Sequence, residues 1–165
     1  MPLYYIHFSK PTHNRFVSIF GGSLAHIAFE NAHSTIWYTA ASGGFLLLQG
    51  TSTLLFRLFP QFDAAFPALL ATTRMIPVHS MLHIVTGLLA LAVLRWGGRE
   101  GAWWFALLFG IFYTLLGTIG LITGLSFGLG LQPFDHPFHL VAGLPGLLAV
   151  AIAPRLHTAD KPLAT

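Results

Sequence analysis

Cysteine is absent from the 165-residue chain. That excludes disulfides, thiolate metal sites and cysteine nucleophiles, and leaves the redox compartment open. Charge is nearly as scarce. Charged residues are 8% of the sequence, where a soluble domain carries about a quarter, and the mean hydropathy is +0.71. Eight Lys and Arg against five acids give a net charge of +3 but form no basic cluster, so the footprint of nucleic-acid binding is missing. No H-E-x-x-H, nucleophile elbow or phosphate loop occurs. No carboxylate or lysine falls mid-way along an apolar run to relay protons or bind cations. These gaps disfavour an enzyme and a transporter alike. Gln49, Tyr113 and several threonines are the strongest polar candidates left inside the apolar runs, and Gln49 is expected to bond a neighbouring helix.

What the chain has is long apolar stretches. About 20 apolar residues cross a bilayer as a helix, because every backbone polar group must then be paired internally. Four stretches qualify: Ile36 to Phe59, Val78 to Trp96, Trp103 to Leu125, and His136 to Ala153. Pro60 and Pro77 bracket the first connection, Gly97-Gly98 marks the second, and Gly128, Gly130 and Pro133 mark the third. The expected fold is an all-α integral membrane protein with four transmembrane helices within residues 35–153, an arm over 1–34 and a tail over 154–165. The arm does not read as a signal peptide, since Met1 to Arg15 is polar and broken by Pro2 and Pro11. Phe16 to Phe29 is too short to span. Its Phe16, Ile19, Phe20, Leu24 and Ile27 share one helical face, which suits an interfacial helix, although an irregular arm packed on a neighbour fits equally.

Charge and indole positions set an orientation. Lys10, Arg15, Arg95, Arg99, Arg155 and Lys161 flank one side of the spans, and only Arg57 and Arg74 flank the other. The positive-inside rule then places both termini in the cytoplasm. Trp37, Trp96, Trp103 and Trp104 fall on that same inner boundary, where amphipathic rings favour the headgroup region.

The chain also repeats itself. The segment Asp135-His136-Pro137-Phe138-His139 leading to Gly143-Leu144 follows the pattern of His79-Ser80-Met81-Leu82-His83 leading to Gly87-Leu88. Gly43, Phe45, Leu48, Gly50, Thr51 and Leu54 likewise match Gly110, Phe112, Leu115, Gly117, Thr118 and Leu121. The spans are therefore two repeated helical hairpins of the same orientation, related by an axis along the membrane normal. Gly43, Gly50, Gly87, Gly110, Gly117 and Gly143 are expected at helix contacts, where small residues let backbones approach.

The paired H-x-x-x-G-L segments, the His79 or Asp135 that opens each, and the G-x-x-Y-x-x-x-G run from Gly110 to Gly117 resemble a family of small bacterial four-helix membrane proteins classed as a domain of unknown function. The likeness covers roughly Gly43 to Val150. It implies the fold, with no established activity, substrate or cofactor. That family's second span usually opens with Asn or Asp ahead of the histidine, and His79 stands in that place here.

His79, His83, His136 and His139 carry the chemical interest. The first two are spaced i, i+4 and the second two i, i+3, so each pair can share a helix face near the outer leaflet. Three readings follow. In the first, Asp135 and by analogy His79 cap the helix starts, while His83 and His139 hydrogen-bond to each other and pin the hairpins. In the second, His83 or His139 ligates a haem or (bacterio)chlorophyll ring, with Gly87 or Gly143 one turn on leaving a flat gap. In the third, His79, His83, His136 and His139 bind a bare metal ion as a membrane enzyme would. The first accords with a non-catalytic accessory subunit of a bacterial inner or photosynthetic membrane complex of the energy-transducing kind. The apolar connection Pro60 to Pro77, with Phe62, Phe66, Leu69, Leu70, Met75 and Ile76, fits contact with other membrane subunits or the lipid surface.

Overall fold

The computed structural model describes residues 33–65, 67 and 75–153. The arm with its expected interfacial helix, the tail, and the central part of the Pro60 to Pro77 connection lie outside the described residues. Every regular element among those described is helical: α1 is Ser34–Leu58, α2 Pro60–Ala65, α3 Pro77–Ala92, α4 Gly98–Thr123 and α5 Asp135–Ile152, with a π-helical turn, Val93–Gly97, joining α3 to α4. The protein is all-α.

Among the described residues two helical runs, Pro77–Thr123 and Asp135–Ile152, are long and apolar enough to cross a membrane. Helix α1 has 25 residues, and so the length, but falls short in apolar density, contrary to what its run of leucines suggests. The reason is visible in its packing. Thr35, Thr39 and Thr53 lie with Gly43, Leu46 and Gly50 on the buried face. Trp37, Phe45, Leu48, Leu55 and Leu58 form the exposed one.

The run Pro77–Thr123 is not one rod. Gly98 adopts φ 55°, ψ −144°, a conformation open mainly to glycine. A Cβ on Gly101 would lie 3.1 Å from the Val93 side chain. In a straight helix residues eight apart are about 12 Å apart along the axis. The chain therefore doubles back at Gly97-Gly98, where the glycine pair marks a connection.

Helix α1 packs most extensively on α3, and α4 on α5. Both pairs are antiparallel. Gly43 faces Ala90 and Gly50 faces Ser80, while Gly110 faces Leu147 and Gly117 faces His136. Helix α1 also reaches across to the second pair through its hydroxyls. Ser34 Oγ donates to the Ala149 carbonyl (3.0 Å), Tyr38 OH to the Ala142 carbonyl (2.7 Å) and Thr39 Oγ1 to the Ala102 carbonyl (3.3 Å). Each such bond is worth about 0.5–1.5 kcal/mol net. They also give α1 a register on α4 and α5 that apolar contact alone would leave loose. Between the pairs sits a small core of Leu46, Ala90, Phe105, Phe109 and Tyr113.

At the opposite end from the π turn, two polar contacts secure the starts of α3 and α5. Arg57 Nε donates to the Met75 carbonyl at 3.1 Å, and the Gln132 N–H donates to the Asp135 carboxylate at 2.7 Å. Gly124 ends α4 in the left-handed region at φ 69°, its N–H bonded to the Gly120 carbonyl. The loop that follows brings Gly130 against Ile76.

Candidate metal centre

Pro77 opens α3 at a position where a missing N–H costs nothing, so His79 falls in the first turn and His83 one turn further on. These two rings meet edge to face with centroids 4.5 Å apart. His139, one turn into α5, comes from the other hairpin, its ring centroid 6.3 Å from that of His79. One nitrogen from each of His79, His83 and His139 can be chosen so that all three lie within 4.8 Å of one another. The side chains are 2%, 2% and 1% exposed. Tyr113 closes the flank, its ring edge-on to His139 at 5.0 Å and stacked on Phe109 at 4.0 Å.

The expected hydrogen bond between His83 and His139 is not made. His83 has no partner at either ring nitrogen, and Nδ1 is unpartnered in both His79 and His139. Buried polar atoms are almost always paired, and each unpaired one costs about 1–3 kcal/mol. Several such atoms gathered at one point could together hold an ion. A ligated ion fits. With metal–nitrogen bonds of about 2.0–2.1 Å, three nitrogens sit about 3.4 Å from one another, so small side-chain rotations close the distance from 4.8 Å.

A macrocycle does not fit beside the two glycines that suggested it. A Cβ on Gly87 would lie 2.8 Å from the Gly43 carbonyl oxygen and from the Leu47 nitrogen, and one on Gly143 would lie 2.6 Å from the Thr114 nitrogen. The neighbouring helix backbones fill the space where a flat ring would need to enter. The same short distances recur at Gly43, Gly50, Gly110 and Gly117, so all six glycines lie at helix contacts.

The repeat explains how the triad arises. His83 and His139 occupy equivalent positions, whereas His79 stands where Asp135 stands in the second hairpin. Asp135 is the first residue of α5 and accepts from the Gln132 N–H of the preceding loop, so it does not cap the helix, whose N-cap Phe134 makes no side-chain bond. His79 is buried and makes no cap either, so neither residue fills the capping role expected of it. His136 does not join the other three. Its ring lies against Gly120, where any Cβ would collide with it. Its counterpart in the first hairpin is Ser80, whose hydroxyl is 3.0 Å from that of Thr53, and Thr53 in turn corresponds to Gly120. A Ser–Thr pair in one hairpin thus becomes a His–Gly pair in the other, with the larger partner switched between helices. The sequence reading did not single out Thr53, Ser80 or Gly120, although extending the repeat alignment would have exposed the exchange. Gln49, expected to bond a neighbouring helix, is half-buried, and its buried Oε1 is unpartnered.

The chain matches no family model, no curated protein and no solved structure.

Proposed function

We propose that this is a non-catalytic bacterial membrane protein that holds one metal ion between its two hairpins, through His79 and His83 of the first and His139 of the second. The observation that carries this reading is the convergence of three buried imidazoles with unpartnered nitrogens. The three side chains are 1–2% exposed, so burial leaves no solvent-fed position for a substrate, which suits an ion that joins helices. An ion there would join helices that otherwise meet mainly through small residues and a few hydroxyl bonds.

Four spans with both termini in the cytoplasm suit the packing. The apolar side chains of α1, α3, α4 and α5 point outward, with Leu48, Val85, Leu108, Ile122, Val141 and Leu148 more than half exposed, as a lipid-facing surface requires. The polar groups of α1 face inward, so its lower apolar density does not disqualify it. Thr39 beside Ala102 and Val93 beside Gly101 bring Trp37, Trp96, Trp103 and Trp104 to one end of the bundle with Arg95 and Arg99, a combination typical of the cytoplasmic boundary.

Elemental analysis of the protein purified in mild detergent without added chelator tests the metal. About one transition-metal ion per chain is expected, lost in His139→Ala and retained in His136→Ala. Metal-free wild-type protein that neither binds nor is stabilised by any added transition ion would refute the assignment.

A further inference from the structure

Resting on the metal-centre reading above, we infer that the ion held by His79, His83 and His139 is monovalent copper. The donor set is the first reason. Among the described residues the group contains imidazoles alone, with no carboxylate, and the chain has no cysteine. The nearest candidate counter-charge, Asp135, is not among the donors: it accepts from the Gln132 N–H and acts on His79 only through space. Neutral ligands leave the full charge of the ion on the site. The cost of burying an ion grows with the square of its charge, so a divalent ion bears about four times the penalty of a monovalent one. In a site whose side chains are 1–2% exposed, that difference falls on the divalent ion undiminished by nearby water.

The number of donors is the second reason. Structural zinc takes four ligands in a tetrahedron, and three are present. Monovalent copper has a filled d shell, no ligand-field preference, and is saturated by three donors in a plane. Imidazole nitrogen suits copper as well as zinc. The third reason is the shape of the surroundings. Tyr113 presses edge-on against His139, and the Gly50 Cα hydrogen positions lie over the His83 Cβ, where even a methyl group would come within 3.0 Å. A trigonal ion needs no further ligand from that crowded wall.

The test uses the full chain in detergent or nanodiscs under anaerobic, reducing conditions. Monovalent copper is titrated in competition with a chromogenic copper(I) chelator, and zinc is titrated separately against a zinc indicator. The expected result is one equivalent of copper, silent in electron paramagnetic resonance, bound at least about 100-fold more tightly than zinc. X-ray absorption should show nitrogen donors only. His79→Ala should weaken copper binding by about tenfold or more, and Ser80→Ala, on the same turn but outside the triad, should leave it unchanged. If His79→Ala fails to fold, His79→Asn serves in its place, with retention checked by its helical circular dichroism. Zinc binding as tight as copper, or a fourth ligand in the absorption spectrum, overturns the assignment to copper while the metal centre stands. Binding of neither ion overturns both.

Discussion

His79 and His83 stand edge to face at 4.5 Å, and neither offers its Nδ1 to any hydrogen-bond partner. The rings touch favourably, but their buried nitrogens are left without the hydrogen bonds that buried polar atoms normally make. The stability of the bundle should therefore depend on metal in a way that reverses the sign of a substitution.

His83→Leu is the clearest case. Without metal it removes two buried, unpartnered nitrogens and keeps the side-chain volume, so the variant should be more stable than the wild type by about 1–3 kcal/mol. With metal present the order inverts, because the wild type gains the free energy of ligand binding and the variant has lost a donor. Thermal unfolding in detergent, with chelator and then with metal, reads both signs. A variant less stable under both conditions would show that His83 has a polar partner in the apo protein.

Glycine substitutions should separate contact from exposure. A Cβ at Gly143 meets the Thr114 backbone at 2.6 Å, whereas one at Gly44 meets nothing within 4 Å. Gly143→Ala should push α5 from α4 and cost about 1–3 kcal/mol. Gly44→Ala should be neutral or stabilise by up to about 1 kcal/mol through helix propensity. Unfolding in mixed micelles distinguishes them.

The exchange between the hairpins predicts a coupled pair. Gly120→Thr alone drives a side chain into the His136 ring and should destabilise by about 2–3 kcal/mol. Adding His136→Ser recreates the Thr53–Ser80 contact of the first hairpin and should recover most of that loss, giving a coupling energy of about 1–3 kcal/mol in a double-mutant cycle. Additive effects would mean that the correspondence between the hairpins is formal only.

The absence of cysteine allows a clean test of orientation. A membrane-impermeant maleimide should label Ser126→Cys in intact cells and label Arg99→Cys only after permeabilisation. The opposite pattern would invert the proposed topology.

Much of the fold is legible in the sequence because it is written locally. Apolar runs and Gly or Pro punctuation locate the helices within a few residues, and Gly97-Gly98 marks the reversal even though helical turns continue on either side of it. The triad is legible only in part. His83 and His139 follow from the repeat, but the inward turn of His79 depends on which helix lies opposite, which no local pattern states. His136 and His139 are about 60° apart around α5; that angle is small enough to suggest a shared face and large enough to send one ring toward Gly120 and the other toward the triad. The space beside Gly87 and Gly143 is illegible for a similar reason. A glycine in an apolar helix signals close approach, but not whether a ligand or another backbone fills it.

The reversal between α3 and α4 bears on how such a chain would enter a bilayer. Five residues of π turn, Val93–Gly97, lead directly into α4 at Gly98, with Val93 already touching Gly101. A tether this short has no slack for a loop that could cross to the far side. If the first hairpin entered a bilayer with its ends facing one compartment, the second would be drawn to follow in the same sense. The duplicated halves would then share a single decision at the insertion machinery, leaving the residues of the second half free to diverge.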